Sequence, residues 1–200
     1  MESKPYNIVL LPEKLLNDRF ITASKTLEKF GAIFTLTNTD FFPHLSLYML
    51  QLHEEGLAAT CKFLQVYSTE IIKQSLTPKC FHYENEYIDV EYERTGILSE
   101  IQNKIIELLN PVRIGLREKD QLRLQTATGT ERENLLTYGY RSIGLQFFPH
   151  VTLTRFKTEQ KETIGQLAAI ESFEGIFNRI GIFQMGDNGT CIREVASWQL

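Results

Sequence analysis

Residues 41 to 47 read FFPHLSL and residues 147 to 153 read FFPHVTL, a near-repeat whose two histidines stand 150 − 44 = 106 residues apart. Five matches in seven positions would carry little weight by length alone in a chain of 200 residues, so the residue types decide. Two of the four histidines in the chain occupy the same place in the two copies, and each is followed two positions later by a hydroxyl, Ser46 or Thr152. Side chains alternate across a strand, so His44 and Ser46 share one face and His150 and Thr152 share another. Leu45, Leu47, Val151 and Leu153 then point the opposite way, into a core. Burying both polar faces dry would strand several donors and acceptors, so a wet cleft between the two copies is the economical arrangement.

Outward from the heptads, YNIVLL (6–11) reads as a strand closed by Pro12. Leu16, Phe20, Ala23, Leu27 and Phe30 recur at helical spacing over 13–30, and Gly31 stands where a left-handed cap ends a helix. IFTLT (33–37) and HLSLYMLQL (44–52) are strand-like, and Leu57, Cys61, Leu64 and Ile71 or Ile72 mark a second helix. CFHY (80–83) and YIDVEY (87–92) form a predicted hairpin; Ile88, Val90 and Tyr92 alternate with Asp89, Glu91 and Glu93, which predicts an acidic, solvated face. Leu98, Ile101, Ile105 and Leu108 mark a third helix ended by Asn110-Pro111. Residues 112–146 are polar and turn-rich, with one short helix expected over 131–138, and read best as a solvated connection. The tail returns to order with FFPHVTLTRF (147–156), a helix over 161–170, and strands at 176–185 and 191–200 joined through Gly186-Asp187-Asn188-Gly189. Several strand pairs are joined too tightly for parallel crossovers, so the class is α+β, with antiparallel or mixed sheets carrying helices on one face.

The 21 basic and 25 acidic side chains leave a net charge of -4, which argues against a long nucleic-acid duplex as partner and leaves a small or terminal phosphate. Cys61, Cys80 and Cys191 show no Cys-x-x-Cys spacing, so free thiols in a reducing cytoplasm are expected. The opening apolar stretch is too brief for a signal-peptide core and no run approaches membrane-spanning length. A cytoplasmic monomer with no membrane partner is the consistent expectation.

In-line displacement at phosphorus needs a base on the entering oxygen and an acid on the departing one, on opposite sides. Imidazole, with an ordinary pKa near ~6.5, supplies both near neutrality. Two hydroxyls can donate to the non-bridging oxygens and stabilise their developing charge. No His-x-His or His-Glu-x-x-His motif accompanies these histidines, so neither a metal nor another cofactor is expected.

With HLSL at 44–47 and HVTL at 150–153, the sequence resembles the two-histidine (2H) phosphoesterases, the LigT-like superfamily of 2′-5′ RNA ligases and cyclic nucleotide phosphodiesterases. Its signature is two His-x-Thr/Ser-x motifs roughly a hundred residues apart, and PHVTLTRF looks like the family's carboxy-proximal motif. The resemblance implies a single bilobal α+β domain over 1–200, two antiparallel sheets related by a pseudo-twofold axis and flanked by helices, and a central groove holding both motifs. It implies metal-independent opening of 2′,3′-cyclic phosphates to 2′-phosphates, or cleavage of 2′,5′ linkages, on a nucleotide or RNA end. His44 and His150 would be the acid–base pair, and Ser46 and Thr152 the phosphate-binding hydroxyls. The sequence departs from the pattern at Ser46, where Thr is commoner, and at Leu47-Tyr48, where many members carry a basic or aromatic pair.

Tyr48 and Phe156 are in phase with the histidines if the strands run unbroken, which makes them candidates to stack a nucleobase. Phe41, Phe42, Phe147 and Phe148 are expected to wedge into the core instead. Strict alternation turns Arg155 away from His150, leaving it a surface ion-pair residue or a secondary phosphate contact. His53 and His82 lack a hydroxyl at the motif spacing and read as bystanders. Two other functions use the same groove: a non-catalytic nucleotide or RNA-end binding module, and an RNA-joining enzyme running the reaction in reverse. Mononucleotide, RNA end, oligoadenylate and cyclic dinucleotide present the same phosphate to these four side chains.

Overall fold

The computed structural model describes residues 2–200. The chain runs β1 (Lys4–Pro12), α1 (Lys14–Glu28), β2 (Leu45–Leu52), α2 (Glu54–Tyr67), β3 (Gln74–Leu76), β4 (Pro78–Glu84) and β5 (Tyr87–Tyr92). It continues through α3 (Gly96–Leu109), α4 (Glu118–Leu124), α5 (Gly129–Tyr138), β6 (His150–Arg155), β7 (Gly175–Met185) and β8 (Cys191–Gln199). One antiparallel sheet has the order β2-β1-β7, with β3 and β8 sharing the far edge of β7; the other is β4-β5-β6. The α+β class and the two antiparallel sheets flanked by helices are as the sequence implied. Leu10, Leu45 and Tyr48 of the first sheet and Val90, Val151 and Leu153 of the second bury into one apolar cluster, together with Phe20 and Leu27 of α1 and Ile101 and Ile105 of α3.

Each motif strand is an edge strand, and the two are paired to their neighbours in the same register. On β1 and β2, Ile8 faces Tyr48, Val9 faces Ser46 and Leu10 faces Leu45. On β5 and β6, Ile88 faces Thr154, Asp89 faces Thr152 and Val90 faces Val151. An offset of 88 − 8 = 80 on the inner strand and 106 on the edge strand maps one pair onto the other. In both, the register slips by one residue just after the motif hydroxyl, so Leu47 and Leu153 are equivalent β-bulges. A bulge takes a carbonyl out of the regular ladder, and here each is met by a buried side chain from the other half. Ser24 Oγ on α1 donates to the Leu153 carbonyl (2.7 Å), and Gln102 Nε2 on α3 donates to the Leu47 carbonyl (3.0 Å). The two lobes thus hold each other's bulges.

The structure departs from the sequence reading in several places. IFTLT forms no strand: beyond an isolated bridge between Ala32 and Phe156, Ile33 N donates to the Arg155 carbonyl and Thr37 N to the Phe41 carbonyl, while Leu36 N donates to Ser24 Oγ and Phe34 O accepts from Thr154 Oγ1. α2 ends at Tyr67, before Ile71 and Ile72. Residues 112–146 carry α4 as well as the expected α5, which Gly139 closes in the left-handed conformation (φ 68°). Over 161–170 the chain makes 3-10 turns rather than an α-helix. The β4–β5 hairpin turns at Asn85 and Glu86, both at positive φ. Its polar face is not the solvated one expected: Asp89 is only 6% exposed, because that face looks onto the groove.

Candidate active site

His44 and His150 are held the same way. A proline precedes each, and its fixed φ bends the chain so that the imidazole reaches back two residues. His44 Nδ1 lies 2.7 Å from the Phe42 carbonyl and His150 Nδ1 lies 2.7 Å from the Phe148 carbonyl. A carbonyl oxygen only accepts, so Nδ1 carries a hydrogen in both rings and Nε2 is the nitrogen able to take up a further proton. Around this shared anchor the surroundings differ. Phe42 packs on the buried Phe183 (5.1 Å between centroids), beside Val9, Leu11 and Cys191. Burial in this apolar shell pushes the His44 imidazole down to about 4. The charge of neighbouring His150 pushes the same way, and contacts with the Phe42 and Gly189 backbone oppose it. The His44 ring keeps part of its surface accessible, which tempers the size of the depression but not its sign.

The structure brings His44 and Thr152 to one narrow cavity of about 10 Å³, roughly the room for a single water, closed by Asn188, Gly189 and Thr190 of the β7–β8 turn and by Phe34, Leu36 and Phe41. Asn188 adopts φ 59° and Gly189 φ 78° there. A larger cavity of about 550 Å³ shares Phe42 and Pro43 with the first heptad and is lined also by Lys14, Asp18 and Arg179; neither motif histidine lines it. Neither His150 nor Ser46 lines the smaller cavity. Ser46 is buried, and its oxygen accepts from Asn7 Nδ2 (2.8 Å), which leaves its own hydrogen free to donate. Among the described residues no three His, Cys, Asp or Glu side chains gather as a metal-binding group, and no helix is long and apolar enough to cross a membrane.

Three expectations built on unbroken alternation fail, because the bulges reverse the phase beyond Leu47 and Leu153. Tyr48 is 0% exposed, on the core side, with its hydroxyl donating to the Tyr138 carbonyl (2.7 Å) and Asn110 Oδ1 (3.2 Å); it stacks no base. Phe156 is 1% exposed and equally unavailable. Arg155, by contrast, returns to the face of His150 and Thr152, paired in register with Tyr87. Its guanidinium lies 5.1 Å over the Tyr87 ring, donates to Asn188 Oδ1 (3.1 Å) and pairs with Glu86 (3.2 Å). Asn7, a polar residue inside the apolar run 6–11, and Asn188 were not singled out by the sequence. His82, read as a bystander, faces Asp89 across the hairpin and so shares the groove face. His53 stays apart, at the start of α2.

No family model matches the sequence, and no curated protein matches it. Solved structures do match over the full length. Escherichia coli LigT in apo form is 13% identical with a TM-score of 0.59, covering 100% of this chain and 99% of that one. The same protein complexed with phosphate is 13% identical at 0.58, with the same coverage, and a crystal structure described as a phosphoesterase is 12% identical at 0.54, again covering 100% and 99%. At this identity the likeness is one of fold: two antiparallel sheets with their helices, matching LigT over the full length.

Proposed function

We propose that the chain is a metal-independent phosphodiesterase that opens 2′,3′-cyclic phosphates of a nucleotide or RNA end to 2′-phosphates, or cleaves 2′,5′ linkages, by two-histidine acid–base catalysis. The observation that carries this reading is the pair of register-equivalent imidazoles, each with Nδ1 committed to the carbonyl two residues back and Nε2 left over. Structures of E. coli LigT complexed with phosphate, 3′-AMP, NADP+ and ATP support a phosphate-bearing nucleotide as the ligand class.

The unlike surroundings divide the labour. His44, depressed by burial, is neutral at neutral pH, so its Nε2 takes a proton from the attacking water. Water oxygen bonds to phosphorus, the bond to the ribose 3′ oxygen breaks in line, and His150 Nε2 protonates that departing oxygen. The 2′-phosphate remains, and proton exchange with solvent resets both rings. Ser46, already accepting from Asn7, donates to a non-bridging oxygen; Thr152 does the same from the second motif, and Arg155 offsets the charge.

Hydrolysis of 2′,3′-cyclic nucleotides and 2′,5′-linked dinucleotides in excess chelator tests the proposal. Turnover that falls at least ~100-fold in both His44→Ala and His150→Ala supports it. Turnover retained in either variant overturns it. Ligand binding without turnover across the panel would make the groove a binding module, and joined products at high 5′-hydroxyl concentration would make it a ligase.

A further inference from the structure

The ring of Phe148 meets two imidazoles. His150 packs on it at 4.8 Å between centroids with planes 32° apart, and His82 meets it edge-on at 5.0 Å and 64°. The carbonyl of this same Phe148 fixes the His150 tautomer. In the other half the Phe42 carbonyl bonds His44 Nδ1 and the Phe42 ring packs on Phe183. The registers make the comparison direct. His82 pairs with Asp89 as Gly181 pairs with Val9, and the Phe183 ring reaches over Gly181, so that a Cβ there would meet it at 2.9 Å. One bracket is therefore backed by a phenylalanine and the other, at the matching place, by a titratable imidazole.

That imidazole does not stand alone. His82 Nδ1 lies 3.7 Å from Asp89 Oδ2, an ion-pair distance rather than a hydrogen bond, and both His82 Nδ1 and Asp89 Oδ1 are buried without a hydrogen-bond partner. Buried polar atoms without hydrogen-bond partners carry a desolvation cost, which attraction between His82 and Asp89 offsets. Asp89 holds His82 above its ordinary value; burial opposes this, and Glu84 on the same strand and Glu91 on β5 assist it. Glu91 is itself bound to Lys79 and Cys80, so it is not free to take His82 from Asp89. Against its ring stand Phe148 and, beyond that, His150.

We infer that His82, set against Asp89 across the hairpin, is a positioning residue that clamps Phe148 and so aims His150 at the scissile phosphate. A cationic ring is drawn to an aromatic neighbour more strongly than a neutral one, so the clamp tightens when His82 is protonated. The inference rests on the acid–base reading of His150 for its catalytic consequence, while the clamp itself is a statement about ring geometry.

The test uses His82→Ala, His82→Phe and Asp89→Asn in the full chain. His82→Ala should lower kcat roughly 10- to 100-fold with KM near the parent value, since small misplacement of a catalytic group costs rate rather than binding. His82→Phe, which copies the Phe183 clamp, should restore kcat to within about 3-fold. Asp89→Asn should make kcat fall at lower pH than in the parent, and this effect should vanish in the His82→Phe background. Nitrogen-15 NMR of His150 reads the clamp without turnover: His82→Ala should mix the two tautomers, and His82→Phe should keep hydrogen on Nδ1 alone. An unchanged His150 tautomer in His82→Ala, His82→Phe as impaired as His82→Ala, or an Asp89→Asn effect that survives in His82→Phe overturns the inference. Because the NMR arm needs no substrate, an inactive parent protein would refute the proposed reaction while the clamp is still judged on the spectra.

Discussion

Acidification should cost this fold more than its carboxylates alone explain, and His44 is the reason. Its imidazole drops from 6.5 to about 4 on folding, chiefly through burial. Each pH unit of difference between folded and unfolded states is worth about 1.4 kcal/mol, so the full effect would be about 3.5 kcal/mol; part of the residue remains accessible, which reduces it to about 2 kcal/mol. The folded value lies below the unfolded one, so between pH 6.5 and 4 the unfolded chain binds more protons. Stability from this group is complete above about pH 6.5 and is lost as pH falls toward 4. Urea unfolding at pH 7.5 and 4.5, compared between the parent and His44→Gln, isolates the contribution from carboxylates common to both. The parent should lose about 2 kcal/mol more than the variant over that interval. In the same reasoning the acid-side limb of kcat/KM should rise near pH 4 rather than near 6.5. Equal acid sensitivity in both proteins, or an acid limb at 6.5, would refute the assignment of His44 as the group kept neutral.

Other outcomes follow from the bulges and from the residues around them. Gln102→Leu, which leaves the Leu47 and Ser142 carbonyls without their donor, should cost about 2–3 kcal/mol and lower Tm by roughly 5–10 °C. Tyr48→Phe should cost about 1 kcal/mol in thermal unfolding and leave KM unchanged, as suits a core hydroxyl bound to Tyr138 and Asn110; a raised KM at unchanged stability would return Tyr48 to the ligand. Arg155→Gln should raise KM for cyclic phosphate about 10-fold, the worth of one charged hydrogen bond, with Tm nearly unmoved because its Glu86 partner is exposed. A KM that does not respond would leave Arg155 a strut for Tyr87 and Asn188.

What the sequence determined by itself was the duplication and nearly everything that depends on it. Five identities in seven residues, carrying a histidine and a hydroxyl at the same phase, put each pair on one strand face, because strand alternation is local chemistry, while the two-lobed arrangement around a groove came only from what the family resemblance implies. The hairpin at 80–92 and the helices carrying Leu16, Phe20 and Leu27 or Leu98, Ile101 and Ile105 were legible for the same reason.

Tertiary structure decided what lies beyond one residue past each hydroxyl. A bulge is a property of two paired strands and of whatever receives the displaced carbonyl, and Ser24 and Gln102 come from the opposite lobes to do so. Counting along one strand therefore sent Tyr48 and Phe156 into the groove and Arg155 out of it, the reverse of their placement in each case. His82 lacked the motif spacing, and only the cross-strand register sets it against Asp89 and Phe148. The depressed His44 likewise has no local signature, since Phe183 and Cys191, which make its surroundings apolar, arrive from strands well over a hundred residues further along the chain.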